Sequence, residues 1–235
     1  MIRMKFIERE NEILRALKKL IGSELDFIVV GGYAVSGLTR HRFSVDCDIV
    51  VQKKDLERLE AVLEEADFTK HVEKAGFDEV YGGEFISYKR DVNKLPVTVD
   101  LLVGALFCRA TEAAWSFDYI KEHSVIAAIS GIEASVSCRI PERELLIALK
   151  IHSARRADIR DIVMLREDAD PERILKHLKR GRAEALRGQI SKIIEALDDP
   201  NLVDSLKDVF AMSIDVKKQI RDVRKDLEFV ARKVS

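Results

Sequence analysis

The chain has 235 residues, 47% of them hydrophobic and 34% charged, a balance that excludes an intrinsically disordered protein. The formal net charge is −1 and the pI about 6.6. A grip on nucleic acid spread over the whole surface is therefore excluded, and any such contact must use a local patch.

At this length a core of roughly 130–140 residues with a smaller appended unit is expected. Residues 1–10 carry charges at Arg3, Lys5, Glu8, Arg9 and Glu10, with no long apolar run behind them. Neither a signal peptide nor a membrane span is expected, so no membrane contact and a cytoplasmic address follow. Residues 8–20 place Ile13, Leu14, Leu17 and Leu20 at helical spacing. Asp26–Val30 reads as a short buried strand closed by Gly31-Gly32, and Tyr33–Leu38 as a short helix. A strand over Phe43–Gln52 and an amphipathic helix over Lys53–Ala66 come next. Further strands are expected at Phe85–Lys89 and Val97–Val103, and β-rich pieces over Val125–Ile140, including Ala134–Ile140.

After Pro141 the pattern is helical, at about 142–155, 157–167, 171–180, 182–197 and 214–233, with Pro171 at a helix start and Pro200 in a turn. Residues 141–235 hold 21 basic and 18 acidic residues, whereas residues 1–140 hold 19 and 23. The fold class is thus α+β: a mixed sheet flanked by helices over residues 1–139, and an all-helical domain over 140–235.

The three cysteines, Cys47, Cys108 and Cys138, are far apart and odd in number, which argues against a disulfide framework. No two of the five histidines lie within a helical turn, so a zinc site of ordinary spacing is not expected. Trp115, the single tryptophan, reads as a core or contact residue. Asn and Gln occur three times each, and few amides among many Lys, Arg and Glu is a thermophile pattern.

Three features carry chemistry. Gly31-Gly32 ends an apolar strand and opens a helix, where the backbone can approach an anion; alone it reads as a tight turn. Asp46-Cys47-Asp48 puts two carboxylates on one face of a strand and Cys47 on the other. Alone these are two solvated acids at a strand end, whereas a divalent cation between them would offset their repulsion. Asp100 interrupts the apolar run Val97–Val103, where a carboxylate is costly unless paired or bound to metal; an edge or bulge position is the plainer reading. Their order joins them: a glycine pair after a strand, a D-x-D strand fourteen residues on, and a third acid in a later strand. Together they describe one metal-centred site with room for a triphosphate across the glycine turn.

The stretch Val30-Gly31-Gly32-Tyr33-Ala34-Val35-Ser36, followed by Arg42-Phe43-Ser44-Val45-Asp46-Cys47-Asp48-Ile49, resembles the minimal nucleotidyltransferases of the DNA polymerase β superfamily, in particular the AbiEii/AbiGii toxin-like branch. The Asp100 strand, the lysine of Leu145–Lys150 and the segment Arg155–Ile162 are similar to that branch as well, and the resemblance covers roughly residues 25–165. It departs at Tyr33, where many members carry a small hydroxyl residue, and at Cys47, where an aliphatic residue is usual.

The resemblance implies that Asp46, Asp48 and Asp100 ligate Mg²⁺ in a two-metal arrangement, with Asp100 helping to deprotonate the acceptor hydroxyl. It implies that Gly31, Gly32 and Ser44 hold the NTP, that Lys150 neutralises the leaving pyrophosphate, and that Arg42 either joins them at the nucleotide or only braces the strand. The implied reaction is NMP transfer from an NTP to a hydroxyl. RNA, tRNA above all, is the favoured acceptor, in a toxin that has an antitoxin partner. Protein or small-molecule hydroxyls are the alternative acceptors, and a non-catalytic nucleotide-binding partner protein is the alternative class. Asp158 and Asp161 among Arg155, Arg156 and Arg160 read as an ion-paired helix face, and Lys150 alternatively as a solvated helix end. The run Arg173, Lys176, Lys179, Arg180, Arg182 and Arg187, broken only by Glu184 among its charges, is either a solvated face or an RNA-binding patch over 173–187.

Overall fold

The computed structural model describes residues 2–75, 84–210 and 216–234. The chain divides into two compact units: Met1–Leu106 with Trp115–Pro141, and Phe107–Ala114 with Glu142–Ser235. The second unit therefore takes in a stretch, Phe107–Ala114, that composition alone assigns to the first.

In the first unit, helix α1 (Ile2–Gly22) is longer at both ends than its apolar spacing announces. Its buried stripe is Ile13, Leu14, Leu17 and Leu20, each 0% exposed. Strand β1 (Phe27–Val29), helix α2 (Gly31–Leu38) and strand β2 (Asp46–Val51) follow. After a 3₁₀ turn over Lys53–Asp55 come helix α3 (Leu56–Glu65) and the strands β3 (Thr69–Ala75), β4 (Glu84–Val92) and β5 (Leu95–Val103). These five strands form one sheet in the order β1-β2-β5-β4-β3. Only β2 and β5 run parallel, and the other neighbours are antiparallel. A parallel pair needs a crossover, here the route through α3, β3 and β4, and it brings two strand ends of the same sense side by side. Helix α1 packs against β4 and β5, and α2 against β2.

The chain continues through β6 (Ala105–Cys108), β7 (Ala113–Ser116) and α4 (Phe117–Glu122), which the Ser116 hydroxyl caps by accepting from the Tyr119 amide. Strands β8 (Ser124–Ser130) and β9 (Ser135–Pro141) pair as an antiparallel hairpin that packs on α2. Trp115 is a core residue, 0% exposed.

The second unit is helical: α5 (Arg143–Ser153), α6 (Arg156–Leu165), α7 (Pro171–Leu178), α8 (Ala183–Ala196), α9 (Leu202–Phe210) and α10 (Lys217–Lys233). Helix α5 is buried from Glu144 to His152 and packs against α6, α7 and α8, as a central helix must. Helix α7 starts where Pro171 predicts, with the Asp170 carboxylate accepting from the Glu172 amide. The first two residues expected in the last helix, Ile214 and Asp215, lie outside the described residues. Among the described residues no helix is long and apolar enough to cross a membrane.

Candidate active site

The parallel pair β2–β5 sets Asp46 opposite Thr98 and Asp48 opposite Asp100. Paired residues on adjacent strands share a face, so all three carboxylates stand on one side of the sheet. Burial alternates along β5 and over the first residues of β2: Cys47, Val97, Val99 and Leu101 are buried, whereas Asp48, Thr98 and Asp100 are half-buried and Asp46 is exposed. The apolar run that makes Asp100 look costly is thus two faces read as one. Neighbouring strands supply hydroxyls to the acids. Ser87 Oγ donates to Asp100 Oδ1 at 2.6 Å, and Thr98 Oγ1 to Asp46 Oδ1 at 3.2 Å. Burial raises the Asp100 pKa; the Ser87 bond pulls it back, and the charge of Asp46 raises it again. Cys47 faces the opposite side, where burial, reinforced by Asp48, holds its thiol protonated.

At the end of β1 the Val30 amide donates to Asp48 O at 2.9 Å, which fixes the glycine turn against β2. Gly31 has φ +63°, and a Cβ there would stand 2.2 Å from Asp48 Oδ2. A Cβ on Gly32 would stand 2.8 Å from an Arg42 guanidinium nitrogen and 2.9 Å from Ser44 Oγ. The backbone conformation requires glycine at 31, a side chain at 32 would displace Arg42 and Ser44, and these approaches bring Gly31, Gly32, Arg42, Ser44 and Asp48 into one cluster. Helix α2 begins at Gly31, and its N-cap, Val30, has no side-chain acceptor for the first-turn amides. Tyr33 does not replace a small hydroxyl at the mouth of this turn. It is 2% exposed, and its hydroxyl, kept protonated by burial, donates to Ser44 O at 3.0 Å.

Lys150 lies on α5 in the helical unit. It is neither a solvated helix end nor part of a solvated face: its side chain is 7% exposed, and its ammonium contacts Asp158 at 2.8 Å and Asp161 at 2.9 Å. Burial alone would raise the Asp158 pKa, but Lys150 and Arg155 reverse this and hold it at about 2. The Arg155 amide and guanidinium also donate to Asp158, closing the start of α6. The leaving-group role that the resemblance implies for Lys150 gains no support from this placement. In the basic run, Arg182 pairs with Glu112, Arg173 with Glu142, and Arg187 donates to Val234 O, while Lys176 and Lys179 are exposed. The three cysteines are free thiols.

Sequence reasoning did not single out Ser87, Thr98 or Ser36. The only signal available was their alternation with apolar neighbours on strands or one helical turn. The carboxylate set offers oxygen donors alone, two of them in register on adjacent strands, with repulsion between Asp46 and Asp100 left for a cation to offset. That chemistry fits a hard divalent ion such as Mg²⁺.

Comparisons with known proteins bear on the fold and the family. The structure of JHP933 from Helicobacter pylori is similar over 97% of this chain and 93% of that one, with 18% identity and a TM-score of 0.52. The solution structure of the antibiotic-resistance factor ANT(2'')-Ia is similar over 80% of this chain and 94% of that one, with 17% identity and a TM-score of 0.49. No curated protein matches the sequence. The family profile described as nucleotidyl transferase AbiEii toxin, type IV TA system, matches residues 12–230. The fold is that of a nucleotidyltransferase enzyme, the class the profile describes. The chain belongs to the AbiEii toxin family, which the match over nearly its whole length establishes.

Proposed function

We propose that this nucleotidyltransferase uses Mg²⁺ to transfer a nucleoside monophosphate from an NTP to a hydroxyl of RNA, tRNA being the favoured class. In this reading it is the toxin of a pair whose antitoxin holds it in check. The observation that carries the metal-dependent chemistry is the register of Asp48 on Asp100, with Asp46 on the same face and Gly31 packed against Asp48. Asp46, Asp48 and Asp100 would hold the cation, which neutralises charge on the triphosphate when bound. The amides that open α2, with Arg42 and Ser44 beside Gly32, bind the phosphates. The acceptor oxygen bonds to the α-phosphorus, the bond from that phosphorus to the pyrophosphate oxygen breaks, and the hydroxyl proton passes to Asp100. The exposed Lys176 and Lys179 motivate an RNA acceptor.

The test incubates the protein with Mg²⁺, each α-labelled NTP in turn and total RNA or cell extract, beside Asp46→Ala and Asp48→Ala variants. Label on RNA that is lost at least 100-fold in the variants is the expected result. Label on protein or on a small product instead would overturn the RNA acceptor and keep the enzyme. Equal labelling with and without Mg²⁺ would overturn the metal.

A further inference from the structure

The triphosphate reading gives work to Arg42 and Ser44 but none to Glu10, although among the described residues Glu10 is the most buried acid of the first unit, 1% exposed. A carboxylate so placed must be fully bonded to be tolerated. One oxygen, Oε1, meets His41 Nε2 at 2.6 Å, and the other accepts from the Ile132 amide at 2.8 Å. The space is made by Gly131 in the turn between β8 and β9, where a Cβ would stand 2.5 Å from Glu10 Oε2.

Residues 39–45 have no regular secondary structure, yet they carry both side chains that face the glycine turn. Their side chains from 41 to 44 go alternately to two helices. His41 and Phe43 go to α1, where His41 meets Glu10 and the Phe43 ring lies 5.6 Å from that of Phe6. The His41 and Phe43 rings also meet edge to face at 4.8 Å. Arg42 and Ser44 go to α2, against Gly32. On that side the backbone is held as well: Ser36 Oγ lies 3.4 Å from the Arg42 amide and 3.3 Å from its carbonyl, and Tyr33 donates to Ser44 O. An irregular segment pinned at successive residues from two helices loses its freedom before any ligand arrives, which is the condition for a precise phosphate contact.

The geometry points to Glu10 and His41 as positioning residues: a buried carboxylate on α1 and a half-buried imidazole on the segment after α2, whose contact presets Arg42 and Ser44 over the glycine turn for the triphosphate. This rests on the reading of Arg42 and Ser44 as phosphate ligands. Neither Glu10 nor His41 is assigned a contact with substrate. Their effect passes through the backbone of residues 41–44.

The experiment titrates the full chain with inorganic triphosphate and Mg²⁺ by calorimetry, a probe common to every NTP, and records the melting temperature of each variant. Arg42→Ala tests the underlying reading. His41→Leu and Gly131→Ala break the pair from its two sides, and His41→Gln restores an N–H donor to Glu10. Expected are roughly tenfold weaker binding for Arg42→Ala, His41→Leu and Gly131→Ala, and recovery to within about threefold of wild type for His41→Gln. If Arg42→Ala binds like wild type, the phosphate reading falls and the inference with it. If Arg42→Ala weakens binding while His41→Leu and Gly131→Ala lower only the melting temperature, the phosphate reading stands and the positioning role is overturned. A His41→Gln protein as weak as His41→Leu would likewise overturn it, because a donor to Glu10 is all the pair requires.

Discussion

Gly31 joins backbone geometry to chemistry at one atom. At φ +63° an L side chain is strained by about 1–2 kcal/mol, and the added methyl would also press on Asp48 Oδ2 at 2.2 Å. The strain acts on stability, and the displaced carboxylate acts on catalysis. Gly31→Ala is therefore expected to lower the melting temperature by roughly 2–8 °C. It should cost about 100-fold or more in kcat/KM, since a displacement of about 1 Å in a positioned group has that effect. Scanning calorimetry and the transfer assay measure the two separately, and retained activity in a destabilised protein would show that Asp48 does not need its present place. Much of this was legible in the residues themselves. The D-x-D alternation puts Cys47 in the core and its neighbours on the open face, and the glycine pair follows its strand. Lys150 was not legible. Its partners Asp158 and Asp161 lie on the next helix, and only the packing of α6 on α5 reveals that the three charges are buried together.

Among elements, the stretch Phe107–Ala114 is tied into the helical unit by a buried chain of hydrogen bonds. Thr111 Oγ1 lies 2.6 Å from His152 Nδ1, and His152 Nε2 donates to Leu178 O at 3.2 Å, with both side chains 0% exposed. Burial keeps the ring neutral at neutral pH, so with Nε2 donating to the Leu178 carbonyl, Nδ1 accepts from the Thr111 hydroxyl. Burial lowers the His152 pKa; the Leu178 carbonyl opposes this and the charge of Arg180 adds to it, leaving it at about 4 against an ordinary 6.5. The unfolded chain therefore takes up a proton below about pH 6.5 that the folded chain refuses until about pH 4. Stability is full above that window and falls through it, by about 3 kcal/mol in all. The melting temperature is expected to drop between pH 6.5 and 4 in the wild type, and less steeply in His152→Gln. Parallel pH profiles would refute the assignment.

This tie also explains why the composition boundary misplaces Phe107–Ala114. A residue pair 41 apart in sequence leaves no mark on local pattern. The elements that pattern misses are short or polar: β6 and β7 have four residues each, α4 has six, and β3 is the edge strand Thr-Lys-His-Val-Glu-Lys-Ala. An edge strand with charged side chains is guarded against pairing with another chain, and it reads as a loop for the same reason. Helix α9, hidden behind Pro200, is nine residues long and starts after an Asp199–Asn201 turn.

At the scale of the whole molecule, charge decides how an RNA acceptor would be held. A net charge of −1 gives no long-range attraction, so in the proposed function the contact falls to a local cluster of cations. The run over 173–187 is less available than its sequence suggests, because Arg173 and Arg182 are paired with acids and Arg187 is bonded to a carbonyl. Arg173, Arg182 and Arg187 are exposed but engaged in those contacts, and Lys176 and Lys179 are exposed beside them. Each phosphate contact they make should contribute about 0.7 to the salt slope of RNA affinity. Lys176→Glu with Lys179→Glu is then expected to raise the KM for tRNA by about tenfold at 0.1 M salt and to flatten its salt dependence. The KM for NTP should not change, because the residues assigned to the triphosphate all belong to the first unit apart from Lys150, which its two aspartates hold. A double variant that loses NTP affinity would mean that these lysines serve the nucleotide. One that changes neither KM would move the RNA contact off this stretch, to another basic surface that kinetics on charge-reversed variants of α10 would then locate.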